Sequence, residues 1–154
     1  MELLKSLHGR LNDSAPVVRV RAAQSISELL KEVLLSSNEI DSTNSEGGNS
    51  TELKNKDVLT RSIIQFSSIL AESLRKRALE DDKATVRRAA INGLVSVISI
   101  SNIQFAAVTN NNNNVHRHHL QEDINVLRQL CNDASVVMRR AAAEGVTSLL
   151  LLKK

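Results

Sequence analysis

The sequence predicts an all-α fold, a superhelix of stacked antiparallel helix pairs interrupted by two flexible insertions. Three observations carry that prediction. The 154 residues are 42% hydrophobic but only 1% aromatic, so the core must be built from Leu, Ile, Val and Ala, the mixture of helices packed on helices. One proline and five glycines are too few for the turns of an all-β chain. Most directly, one pattern occurs three times: NDSAPVVRVRAA (12–23), LEDDKATVRRAA (79–90) and NDASVVMRRAAA (132–143).

The three copies stay in register beyond the quoted stretch. Aligned on Asp13, Asp81 and Asp133, they place Val18, Val86 and Met138 in one column, Arg19, Arg87 and Arg139 in the next, and Ala22, Ala90 and Ala142 further on. Apolar or small residues then recur with helical spacing to Leu29–Leu30, Val97–Ile98 and Leu149–Leu150, so an amphipathic helix starts just after each acidic turn. Upstream of the turns lie Leu3, Leu4, Leu7 and Leu11; Ile69, Leu70, Leu74, Ala78 and Leu79; and Ile124, Leu127, Leu130 and Cys131. These predict a preceding helix, making the unit helix, acidic turn, helix. The acids, with Ser14, Asp82 and Ser135 as the local caps or near-caps, satisfy the first amides of the second helix. One such unit cannot bury its own apolar stripe, and stacking on neighbours solves the problem. Ser25, Gly93 and Gly145 share a column, and close approach of stacked backbones compensates for the helix propensity that glycine gives up.

The acidic columns are separated by 68 and then 52 residues, more than the roughly 40–47 of a simple helical-pair repeat, so insertions are expected. The organisation predicted is repeat 1 over 1–35, an acidic Ser/Asn/Gly-rich disordered insertion over 36–57, repeat 2 over 58–105, an Asn-rich loop over 106–117 and repeat 3 over 118–154. The first insertion is too polar to order itself. The segment IQFAAV ahead of the Asn run can extend a helix.

Net charge is +3, yet residues 36–57 alone carry −3, leaving the folding parts modestly basic. That suits an acidic partner such as nucleic acid and equally an ordinary soluble surface. The single cysteine excludes an internal disulfide and fits a reducing compartment. MELLKSLHGR lacks the features of a secretory signal, and no apolar run reaches the roughly 18–20 residues of a membrane span. A soluble intracellular protein without membrane association is expected, so the sequons at Asn12 and Asn49 are accidental.

Arg19, Arg87 and Arg139 recur beside Asp13, Asp81 and Asp133, and an Asp of one turn can meet an Arg of a neighbouring repeat, giving a structural ladder. Arg88 and Arg140 lie one position further round, with Asn92, Ser96 and Ser99 expected on the same exposed face. With Arg75, Lys76 and Arg77 they are the candidate contacts for phosphates or for a protein partner. The scarcity of aromatics argues against single-strand binding. The cluster Glu80, Asp81, Asp82 lacks the spacing of a calcium loop and reads as a cap. His116, His118 and His119 lack i, i+4 spacing for zinc, and Cys131 occupies the column of Leu11 and Leu79, a core position. No phosphate loop, nucleophile elbow or carboxylate pair can be placed, so neither an enzyme nor a cofactor or metal is expected.

The motif N-D-x-x-x-V-V-R with Pro16 in the turn, repeated in phase, resembles the HEAT repeat, and the implied architecture is an armadillo-like superhelix. More narrowly, LRKRALEDDKATVRRAAINGLVSVI (74–98) and LQEDINVLRQLCNDASVVMRRAAAEGVTSLLLL (120–152) are similar to consecutive repeats of the D-type HEAT subunit of condensin II. The resemblance covers 69–152; the acidic insertion and the Asn run depart from it. It implies a scaffold in mitotic chromosome condensation, located in the nucleus on chromosomes and contacting kleisin and SMC-type subunits, DNA or histones. The alternative is a HEAT or armadillo adaptor that binds protein partners in transport, translation or phosphatase scaffolding. The chain resembles a section of a longer solenoid, and an apolar edge around Leu149–Leu152 is expected to make the isolated segment self-associate.

Overall fold

A computed structural model describes the backbone of residues 2–38, 66–107 and 114–151, and side chains over 2–35, 66–101 and 120–151. Six helices stand among the described residues. They are α1 (Glu2–Arg10), α2 (Pro16–Asn38), α3 (residues 66–80), α4 (Ala84–Ala107), α5 (Asn114–Leu130) and α6 (Val136–Leu151). The helices α1 and α2, α3 and α4, and α5 and α6 form three pairs. In one layer α4 packs between α2 and α6; in the other, α3 makes side-chain contacts with α1 and with α5.

Each second helix starts for the same local reason. The Asp13 carboxylate accepts a hydrogen bond from the Ala15 N–H at 2.8 Å, Asp81 from Lys83 N–H at 3.0 Å, and Asp133 from Ser135 N–H at 2.8 Å. The first helical bonds then run from Val18, Val86 and Met138 to the carbonyls of Ala15, Lys83 and Ser135. The cap positions are therefore Ala15, Lys83 and Ser135. Ser14 and Asp82, expected at or near the cap, sit one residue before it. The reason is that the acidic residue makes an Asx turn toward the amide two residues on. Pro16 occupies the first helical position, where its missing N–H costs nothing.

The core runs continuously through the three pairs. Leu11, Ile26, Leu30, Leu70, Leu74, Ile91, Leu94, Ile98, Leu127, Leu130 and Met138 are fully buried. Cys131 is half-buried against this cluster. The small column sets the helix spacing: a Cβ at Gly93 would lie 3.0 Å from a methyl of Leu74 and 3.5 Å from the Ala23 carbonyl, and one at Gly145 would lie 2.5 Å from a methyl of Val95. At Gly145 the backbone approaches the neighbouring repeat more closely than a side chain permits, whereas at Gly93 the tight neighbour is the Leu74 side chain of the same helix pair.

Three expectations change. The loop expected over 106–117 is shortened at both ends, since α4 continues to Ala107 and α5 begins at Asn114; residues 103–107, IQFAA, extend the helix. Likewise α2 runs to Asn38, into the insertion expected from 36. The rest of both insertions, 39–57 and 108–113, the start of the expected second repeat, 58–65, and the side chains of His116, His118 and His119 lie outside the described residues. The face expected to carry Asn92, Ser96 and Ser99 to solvent is also corrected. Only Asn92 is exposed, because α4 is covered on both flanks, and Ser96 and Ser99 are buried. Ser96 Oγ sits 2.9 Å from Ser27 Oγ across the α2–α4 contact.

Candidate functional site: the inter-repeat ladder and its surroundings

The arginine columns are built into the stack. Arg19 donates from Nη1 to the carbonyls of Asp13 and Ser14 at 2.9 and 3.0 Å, which fixes the guanidinium on its own turn. Its other edge then points at the next repeat: Nε to Asp81 Oδ2 at 2.8 Å and Nη2 to Asp81 Oδ1 at 2.9 Å, a bidentate pair, with Asp82 at 3.0 Å from Nη2. The side chains of Arg19 and Asp81 are 8% and 0% exposed. One repeat further, Arg87 Nη2 donates to the Asp133 carboxylate while Nε donates to the Ala78 carbonyl at 2.9 Å. Arg139 repeats the first half of the Arg19 arrangement, donating from Nη1 to the carbonyls of Asp133 and Ala134 at 2.8 and 3.0 Å. Among the described residues no carboxylate takes its Nε and Nη2 edge.

The electrostatics follow from this geometry. Burial works against the Asp81 charge, but the Arg19 hydrogen bonds and the Lys83 amide outweigh it and hold the carboxyl below its ordinary range. The Arg87 hydrogen bond, aided by the Ser135 amide, holds Asp133 below that range too. The hydrogen bond to Asp81 raises Arg19, against a smaller opposing effect of burial.

The five candidate contact residues do not form one stripe. Arg75 is a half-buried ion-pair residue, 2.8 Å from Asp123 and 3.0 Å from Glu122 in α5. Arg77 donates to Asn12 Oδ1 at 2.8 Å and lies 3.4 Å from Asp81. Both are engaged between repeats, which removes them as open phosphate contacts. Lys76, Arg88 and Arg140 are exposed; Arg140 makes a solvated pair with Glu144 at 2.8 Å. Sequence reasoning missed Asp123 as the partner of Arg75. The available signal was an acid in a column otherwise filled by Leu3 and Ala71, and Asp123 is buried. It also missed His8, whose Nε2 lies 2.8 Å from Ser73 Oγ and whose ring meets Phe66 edge-on.

An open groove of about 760 Å³ runs beside α1, α3 and α5, lined by His8, Asn12, Ser73, Arg75, Glu80 and Glu122 among others. Its charges are of both signs. Among the described residues no helix is long and apolar enough to cross a membrane.

A family model described as a HEAT repeat associated with sister chromatid cohesion matches residues 2–20, which is α1, the first acidic turn and the start of α2 as far as Val20. No curated protein matches the chain. The matched turn is the one whose geometry recurs at Asp81 and Asp133, and the chain is an all-α protein with a HEAT-like superhelical fold.

Proposed function

We propose that this chain is a non-catalytic HEAT-repeat scaffold in an assembly that organises chromosomes, of the condensin or cohesin kind, acting through protein partners such as kleisin and SMC-type subunits. The observation that carries the reading is the cohesion-associated repeat match falling on the Asp13–Arg19 turn, which holds Arg19 for the first rung of a ladder that spans all three repeats. The similarity of 69–152 to condensin II repeats supports the same class, and a nuclear, chromosomal location goes with it. Protein contact is favoured over DNA or histone contact, because Arg75 and Arg77 are occupied between repeats. That leaves Lys76, Arg88 and Arg140 as the basic side chains of the original five open to a partner.

The test has two arms. The tagged chain is expected to retain kleisin fragments or SMC-type subunits in pull-downs. Its affinity for duplex DNA is expected to be weak and to fall steeply between about 50 and 200 mM salt, as for any contact made only to phosphates. Absence of kleisin and SMC subunits from the pull-down would sink the reading. Retention of transport, translation or phosphatase factors instead would establish the adaptor alternative, for which the mixed-charge groove beside α1, α3 and α5 is the natural seat.

A further inference from the structure

The groove beside α1, α3 and α5 is bounded on both sides by the chain's own repeats. The middle helix α3 supplies its floor, and α1 and α5 supply its sides. Polar contacts brace the floor against both. Toward α1, Ser73 Oγ lies 2.8 Å from His8 Nε2, and Arg77 donates to Asn12 Oδ1 at 2.8 Å. Toward α5, Arg75 is paired with Asp123 at 2.8 Å and Glu122 at 3.0 Å. A groove fixed in this way is already in shape for an occupant, which lowers the ordering cost of binding.

Along the floor Glu72, Lys76 and Glu80 are exposed, and among the described residues none of the three is in an ion pair. They follow one another on one face of α3 at intervals of four residues, about 6 Å of helix rise. With Arg75 engaged by two acids, the charges left open in the groove therefore run negative, positive, negative. Their sum is opposite in sign to the +3 of the whole chain. The sides add hydrogen-bond donors. Asn12 Oδ1 is taken by Arg77, and Asn125 Oδ1 accepts from Gln121 Nε2 at 3.1 Å, so each asparagine turns its NH2 group to other acceptors. The groove measures about 760 Å³ and is open along its length. A small molecule in it would stay largely in water, so the occupant must gain its contacts through length.

We propose that this groove binds an extended segment of a partner protein that runs along α3 and carries basic, acidic and basic residues at alternate positions. An extended chain puts every second residue on the same side, about 6.6 Å apart, which matches the spacing of the three open charges. The outer basic residues meet Glu72 and Glu80, and the acidic residue between them meets Lys76. The Asn12 and Asn125 amides donate to carbonyls of the segment. Those donors select an extended occupant over a helical one, because the carbonyls within a helix are already bonded. The site follows from the groove alone and does not depend on the chromosome assignment.

Fluorescence anisotropy of three dye-labelled peptides with the full chain tests this. The first has the core Lys-Ser-Glu-Ser-Lys, the second the charge-swapped core Glu-Ser-Lys-Ser-Glu, and the third the charges of the first set four residues apart as a helix would need. Wild type is expected to prefer the first to each of the others by about five-fold, the sum of three exposed ion pairs. In Glu72→Lys/Lys76→Glu/Glu80→Lys, with the fold checked by circular dichroism, the preference should move to the second peptide. Glu28→Lys makes the same change in net charge at an exposed site on α2 and should leave the wild-type preference in place. Equal affinity of wild type for the first two peptides overturns the proposal without recourse to any variant. So does tighter binding of the helically spaced peptide, a preference that survives the triple swap in a folded variant, or a preference reversed equally by Glu28→Lys.

Discussion

At the scale of single residues, the two arginines of the repeated motif have separate physical fates. Arg87 is tied to Asp133 and to the Ala78 carbonyl, whereas Arg88, one position on, is exposed. Removing Asp81 strands a nearly buried guanidinium; Asp81→Ala is expected to lower stability by about 3 kcal/mol, the lower end for breaking a buried pair, because Asp82 remains within reach of Arg19. Arg88→Ala and Arg140→Ala should stay within about 0.5 kcal/mol of wild type, as ordinary surface substitutions do. Urea denaturation measures all three. The acids also set the pH response. Asp81 and Asp133 have folded pKa values below the ordinary carboxylate value of about 3.9. Their contribution is therefore complete at neutral pH, starts to fall as pH drops toward the unfolded value, and is lost as pH passes below the folded ones. The melting temperature should hold down to about pH 5 and fall below about pH 4, less steeply in Asp81→Asn.

At the scale of helices, contact distance is set by the glycine column. Both glycines weaken their helices by about 1 kcal/mol relative to alanine, so Gly→Ala is a contest between propensity and space. At Gly93 the obstruction is the flexible end of Leu74 at 3.0 Å, and Gly93→Ala should be nearly neutral. At Gly145 it is a methyl of the stiff, β-branched Val95 at 2.5 Å. Gly145→Ala is expected to destabilise by about 1 kcal/mol net of overpacking and propensity. In Val95→Ala/Gly145→Ala the clash is absent, and thermal melts should show Gly145→Ala stabilising in that background. The small column is visible in the sequence, since Ser25, Gly93 and Gly145 stand in phase. What each glycine faces is not, because Leu74 and Val95 belong to neighbouring helices whose rotation is decided by packing. The buried Ser96 and Ser99 show the same gap: serines alternate with Val and Ile along α4, and polarity alone points them outward.

At the scale of the whole molecule, the stack is a chain of nearest-neighbour contacts. Repeat number, helix order and the acidic turn can be read from three in-phase motifs, because they depend on local periodicity. The partners of Arg75 and Arg77 cannot, because Asp123 and Asn12 are 48 and 65 residues away and only stacking brings them near. Those pairings turn two candidate ligand contacts into parts of the frame. In a nearest-neighbour array the loss of one rung should uncouple the repeats it joins. The most direct measurement is a double-mutant cycle on Arg19→Ala and Asp81→Ala followed by urea denaturation. If the ladder couples the repeats, the double variant unfolds at nearly the midpoint of either single variant. Losses that simply add would contradict the account.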